Sequence, residues 1–111
     1  MEYTVINQTE QPGDMQVLLS GQFTFADNFK FKQILELLED AQVKALTLHF
    51  GGIDFIDSAG LGMLLLMRDE CQIRSVALSI IATHGQVQKI FTISKFDQLF
   101  SISEGSDATR H

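Results

Sequence analysis

The sequence predicts an α/β fold, a single domain with a mixed sheet of four to five strands and helices packed against it, in the order ββαβαβα with an optional final β. Three observations carry this. Apolar residues switch between a period of two and a period of 3.6 along the chain. After the first two strand patterns, strands and helices alternate, which calls for parallel neighbours in the sheet. The first two strands are separated by turn residues, which suits an antiparallel hairpin.

Tyr3 to Asn7 reads as the first strand. Gln8 to Asp14 is turn chemistry, with Pro12-Gly13-Asp14 as its clearest break. Met15 to Phe23 is a second strand, centred on Val17, Leu18 and Leu19. Phe31, Ile34, Leu35 and Leu38 then line one face of a helix near 28–41, which Asp27 or Asn28 can cap. Ala45 to Phe50 alternates as a third strand, and Gly51-Gly52 is expected to break it. A second helix runs from Ser58 or Ala59 to about Arg74, with Leu61, Leu64, Leu65, Arg68 and Cys71 on one face. Val76 to Ala82 is a continuous apolar run, the pattern of a strand covered on both faces. Gly85 to Ile93 is helical, with Val87, Ile90 and Phe91 inward, and Leu99 to Ile102 is the optional last strand. The domain is expected over residues 1–102, with 103–111 as a polar tail.

Composition narrows the function. A chain of 111 residues, 45 % hydrophobic and 20 % charged, folds as one domain and is too apolar for disorder. Its formal charge of −6, with eight dispersed Lys and Arg, argues against direct nucleic-acid binding and suits a protein partner with a basic docking face. The single cysteine, Cys71, has no disulfide partner, and the three scattered histidines offer no zinc site. No cofactor is expected. No apolar run approaches the ~18–20 residues that span a bilayer, and no basic leader is present. The cytoplasm is the expected location, with no membrane partner. A monomer or weak dimer is the expected state.

The segment with chemical potential is Asp57-Ser58-Ala59-Gly60-Leu61-Gly62, where a strand end enters a helix. Unpartnered N–H groups and the helix dipole make that place favourable for an anion. A phosphate on Ser58 would also add about −1.5 to −2 of charge beside Asp57 and near Asp54. Gly60 and Gly62 would leave the serine unshielded. The local alternative is that Ser58 is simply the N-cap of the helix. Asp54 and Asp57 resemble a catalytic carboxylate pair only in spacing, since no nucleophile or His is tied to them. His49, His84 and Cys71 read as structural; the run from Met63 to Met67 reads mostly as core, with a partly exposed docking spot at Met63 or Leu66 as its alternative. Neither glycine pair has the lysine and spacing of a phosphate-cradling loop.

The stretch Ile53-Asp54-Phe55-Ile56-Asp57-Ser58-Ala59-Gly60-Leu61-Gly62 closely resembles the signature of STAS domains, in particular bacterial anti-sigma factor antagonists. Gly21-Gln22-Phe23 is similar to the end of that family's second strand, and Thr83 to Ile93 to its last helix region. The resemblance implies a regulatory module rather than an enzyme. Unphosphorylated, it would hold an anti-sigma factor with histidine-kinase-like serine kinase activity. Phosphorylation of Ser58 would end that hold, and a metal-dependent serine phosphatase would restore it. The implied partner-binding residues are Asp57, Ser58, Ala59, Gly60, Leu61, Gly62 and Met63, with Thr24 and Asp27. Two positions depart from the family pattern: Thr24 stands where many members carry Asp, and Ser94-Lys95-Phe96 where a Gly-Leu pair commonly follows the last helix. Phe23 to Phe29 is similar to single-domain members that control biofilm or motility, a non-sigma setting for the same switch.

Overall fold

The computed structural model describes residues 1–6 and 12–104. Most of the expected Gln8–Asp14 turn and residues 105–111 of the expected 103–111 tail lie outside the described residues, while residues 103 and 104 belong to the last strand rather than to a tail. Five strands form one sheet in the order β1-β2-β3-β4-β5: β1 (Glu2–Ile6), β2 (Asp14–Phe23), β3 (Ala45–Ile56), β4 (Ala77–Thr83) and β5 (Ser101–Glu104). β1 is antiparallel to β2, and every later neighbour is parallel. Three α-helices make the crossovers: α1 (Asn28–Glu36), α2 (Ser58–Ile73) and α3 (Gly85–Ile93).

Each crossover steps one strand in the same direction. Such connections are right-handed, so all three helices fall on one face of the sheet. The burial pattern agrees. Val17, Leu19, Leu48, Phe50 and Ile80 are buried, while Leu18 is exposed and Gln16, Thr47 and His49 are half-buried on the other side. The expectation that β4 is covered on both faces is therefore corrected: Ile80 is buried under the helices, while Ser79 and Ile81 on the open face are only half-buried. The core carries a chain of phenyl contacts from Phe31 through Phe23, Phe50, Phe91 and Phe96 to Phe100. Each fully buried ring contributes about 1.5–3 kcal/mol, so this line ties α1, the sheet centre and α3 into one unit.

Several boundaries differ from the sequence reading. Helix 28–41 is shorter: α1 ends at Glu36 and tightens into a 3-10 turn, Leu37–Glu39. β3 continues through Gly51-Gly52 instead of breaking. A Cβ on Gly52 would lie 2.8 Å from the Leu19 carbonyl oxygen, so the glycine permits close strand approach where the β2 register shifts. The α2 core face is Gly60, Met63, Leu64, Met67 and Cys71: Leu64 and Cys71 are inward as expected, Leu61 and Arg68 are half-buried, and Leu65 is exposed. The last strand begins at Ser101, two residues late. After α3, Lys95 adopts φ +60 and Phe96 is buried, so these two occupy the left-handed and core roles that a Gly-Leu pair fills.

Candidate functional site

Two helix entries meet at one end of the sheet. β2 leads through a 3-10 turn, Phe25–Asp27, into α1, and β3 leads directly into α2. At the second entry Asp57, in extended conformation, is the N-cap of α2. Its Oδ1 accepts the Gly60 N–H at 2.8 Å, and its carbonyl accepts the Leu61 N–H at 3.1 Å. Its Oδ2 accepts the Phe25 N–H at 3.2 Å, and its own N–H donates to the Phe23 carbonyl at 3.3 Å. The cap of α2 is thus bonded to both sides of the neighbouring entry.

This corrects the local alternative for Ser58. It is the first residue of α2 rather than the cap, and it is exposed. Among the described residues its hydroxyl has no hydrogen-bond partner. Serine's usual structural task at a helix start is already performed by Asp57.

The two glycines of the motif divide. Gly60 is buried, and a Cβ there would sit 2.7 Å from the Phe23 carbonyl oxygen and 2.7 Å from Ile56 Cγ1. Its role is close packing of the helix start onto β2 and β3, and this contact sets the rotation of α2. Gly62 is exposed with nothing near an added Cβ, so only Gly62 opens space around Ser58. Ala59 and Leu61 are half-buried, and Met63 is buried; of the expected docking pair only Leu66, 57 % exposed, faces solvent.

The first entry is internally satisfied. Thr24 Oγ1 accepts the Ala26 N–H at 3.3 Å, and Asp27 Oδ2 accepts the Thr24 N–H at 2.8 Å, a capping box. The expected capping of α1 by the Asp27 side chain does not occur; that carboxylate turns back instead. Its Oδ1 accepts from the Met1 ammonium at 2.8 Å. Burial pushes the Asp27 carboxyl up. The ammonium, the Thr24 N–H and the Lys30 charge outweigh that and hold it below its ordinary value of 3.8. Thr24 is half-buried and Asp27 buried, so of the implied partner-binding residues Asp27 presents almost no surface.

Two features escaped the sequence reading. Gln86, at the start of α3, clamps Ile56: its Oε1 accepts the Ile56 N–H at 3.0 Å and its Nε2 donates to the Ile56 carbonyl at 3.1 Å. This mimics a strand neighbour for the residue just before the motif, and no local pattern encodes such a long-range contact. The second is apolar exposure around the entries. Phe25 and Phe29 are 73 % and 72 % exposed, and Phe55 joins them at the end of β3. The spacing of these rings is visible in sequence, but the 3-10 turn that carries Phe25 and precedes Phe29 is not.

The other candidates lie apart. His49 Nε2 is 2.7 Å from Gln16 Oε1 on the open sheet face, and His84 Nε2 is 3.0 Å from the Gly51 carbonyl oxygen. Asp54 is exposed on β3. Burial, with the Glu70 charge, pushes the Cys71 thiol up to about 11, which keeps it an unreactive core group. A pocket of 420 Å³ on the open face, lined by Leu18, Ser20, His49, Gly51, Gly52 and Ala82 among others, includes no residue of the motif. Among the described residues no helix is long and apolar enough to cross a membrane.

Comparison with known proteins agrees with this architecture. The chain is 30 % identical over 90 residues to a STAS-domain containing protein of Pseudomonas aeruginosa (strain UCBPP-PA14), covering 81 % of this chain and 88 % of that one. The fold matches the Bacillus anti-sigma factor antagonist SpoIIAA in its unphosphorylated form, with TM-score 0.67, 14 % identity and coverage of 92 % and 86 % of the two chains. The phosphorylated form matches at TM-score 0.66, 16 % identity and 96 % of each chain. A sulfate transporter family protein from Wolinella succinogenes shares the fold at TM-score 0.73, 18 % identity and 86 % and 80 % coverage, so this architecture serves in transporters as well as in regulators. The STAS domain family model matches residues 5–108, and with that match the chain belongs to the STAS domain family.

Proposed function

We propose that this chain is a partner-switching regulator of the anti-sigma factor antagonist type, with Ser58 as its phosphoacceptor. The observation that supports this best is the division of labour at α2: Asp57 caps the helix, and the exposed Ser58 hydroxyl is left without a structural task. In this reading the unphosphorylated protein binds an anti-sigma factor that is a histidine-kinase-like serine kinase. Exposed Phe25, Phe29 and Leu66 supply apolar contact around Ser58. A phosphate on Ser58 lies next to the Asp57 carboxylate, which two backbone N–H groups hold in place. Repulsion then falls on the surface rather than on the fold, and the partner is released. A metal-dependent serine phosphatase resets the switch. The domain acts in the cytoplasm as substrate and binding module, without catalysis of its own.

The test uses the purified chain with the serine kinase encoded beside it or found by its activity on this chain. Mass spectrometry should place phosphate on Ser58. Ser58→Ala should keep partner binding, and Ser58→Asp should weaken it at least tenfold. Absence of phosphate on Ser58, with equal binding by both variants, sinks the proposal. One rival is a constitutive interaction module in a non-sigma pathway such as biofilm or motility control, the setting to which the resemblance of Phe23 to Phe29 points. For that rival, Ser58→Asp leaves affinity unchanged.

A further inference from the structure

β1 is a sheet edge: it pairs with β2 on one side, and among the described residues no strand lies on the other. Sheets commonly guard an edge with proline, lysine, a bulge or a covering element, because unpaired N–H and C=O groups template further pairing. β1 carries none of the sequence devices. Glu2-Tyr3-Thr4-Val5-Ile6 contains no proline or lysine and pairs with β2 residue for residue without a shift. Its one charge, Glu2, is matched by Lys30 Nζ at 3.1 Å.

We infer that β1 pairs antiparallel with β1 of a second copy of this chain, about a two-fold axis at Thr4. The strand is self-complementary in that register. Thr4 faces Thr4 of the second copy, Tyr3 faces its Val5, and Glu2 faces its Ile6. Thr–Thr and aromatic–β-branched pairs are favourable cross-strand partners, and no like charges meet. This antiparallel register engages all five residues of the strand. A slip that centres the axis on Glu2 sets two carboxylates face to face, and one centred on Val5 leaves Glu2 unpaired. The contact is isologous, so it closes at two copies and joins two five-stranded sheets into one. The edge is short, so association is weak and depends on concentration. Each copy carries a formal charge of −6 while the edge itself is locally neutral, so added salt strengthens the dimer. The proposal is independent of Ser58, which follows β3, two strands in from this edge.

Sedimentation equilibrium or light scattering over a concentration series tests it. The mass should rise from 12.4 kDa toward twice that value, more steeply in high salt. Thr4→Lys, at an exposed position, sets two lysines opposite each other and should weaken association at least tenfold with an unchanged circular dichroism spectrum. Thr4→Cys supplies a second, independent readout. Directly opposed Cβ atoms lie about 4.5–5.5 Å apart, near disulfide reach, and Cys71 is buried and does not compete. Mild oxidation should cross-link Thr4→Cys, and a mixture of Glu2→Cys with Ile6→Cys should yield the mixed dimer. Ser101→Cys on β5 should stay monomeric. A constant 12.4 kDa at every concentration overturns the proposal, and so does a Ser101→Cys cross-link as fast as that of Thr4→Cys.

Discussion

The two helix entries are built from the same materials and use them differently. Each has one hydroxyl and one carboxylate: Thr24 with Asp27 before α1, and Asp57 with Ser58 before α2. In the first, both groups are committed to backbone N–H donors and to the Met1 ammonium. In the second, the carboxylate alone caps the helix, and the hydroxyl stands exposed. A helix start needs only a limited number of acceptors. Once Asp57 satisfies that need, the neighbouring hydroxyl is free for chemistry at little cost to the fold. The entries are also joined, because Asp57 bonds across to Phe23 and Phe25.

The largest effect should come from breaking that junction. Gly60→Val places a Cβ at 2.7 Å from the Phe23 carbonyl oxygen, a backbone atom that cannot rotate away. Overpacking of this kind costs about 3 kcal/mol, so a large drop in the urea midpoint is expected. Gly62→Ala is the control: with open space around it, the change should stabilise α2 by up to about 1 kcal/mol. Equal effects at the two glycines would refute the division of roles.

Next in size is the satisfied entry. Asp27→Ala removes the acceptor of the Thr24 N–H and of the Met1 ammonium, at about 2 kcal/mol. The pH dependence has a definite sign. The folded-state carboxyl lies below its ordinary value of 3.8, so its contribution is present above that value and is lost as pH falls through the folded pKa. The stability gap between the native chain and Asp27→Ala should therefore be constant near neutrality and close below about pH 4. Urea titrations at several pH values would show it; a gap that widens in acid contradicts the arrangement.

Part of this site is legible in the sequence and part is not. The strand-to-helix setting of the motif follows from periodicity alone, and so does the parallel order after the hairpin. Which of Asp57 and Ser58 caps α2 does not. Both residue types are good caps, and the choice follows from the Phe23 carbonyl, thirty-odd positions away, which holds the Asp57 backbone. The rotation of α2 escaped for a related reason: Gly60 must face Phe23 and Ile56, and apolar spacing among Leu61, Leu64 and Leu65 does not record that contact. Gly51-Gly52 reads locally as a break. In the sheet the strand runs on, and the missing Cβ of Gly52 lets β3 approach β2. The single-face cover of β4 is topological, since it depends on every crossover stepping the same way.

Asp57→Ala should come third. It removes the α2 cap and the bond to Phe25, at about 1–2 kcal/mol. Asp57→Asn keeps an acceptor oxygen and should recover most of that loss, which separates capping from charge. If Asp57→Asn also retains partner release on phosphorylation, the phosphate alone drives release. If release is blunted, repulsion between phosphate and the Asp57 carboxylate carries part of it.

The smallest expected effect is the most informative, because it compares the two hydroxyls directly. Thr24→Ala removes an acceptor of the Ala26 N–H and should cost about 1 kcal/mol. Ser58→Ala removes a hydroxyl with no partner among the described residues, at an exposed position in the first turn of a helix. Its cost should stay within about 0.5 kcal/mol, and alanine's helix propensity offsets part of even that. Matched guanidinium unfolding curves of the two variants measure the difference without knowledge of the partner. If Ser58→Ala destabilises as much as Thr24→Ala, the Ser58 hydroxyl has a structural role, and its availability as a phosphoacceptor loses its physical basis. If only Thr24→Ala destabilises, the fold tolerates a changed hydroxyl at Ser58, the condition a reversible switch requires at its modified residue.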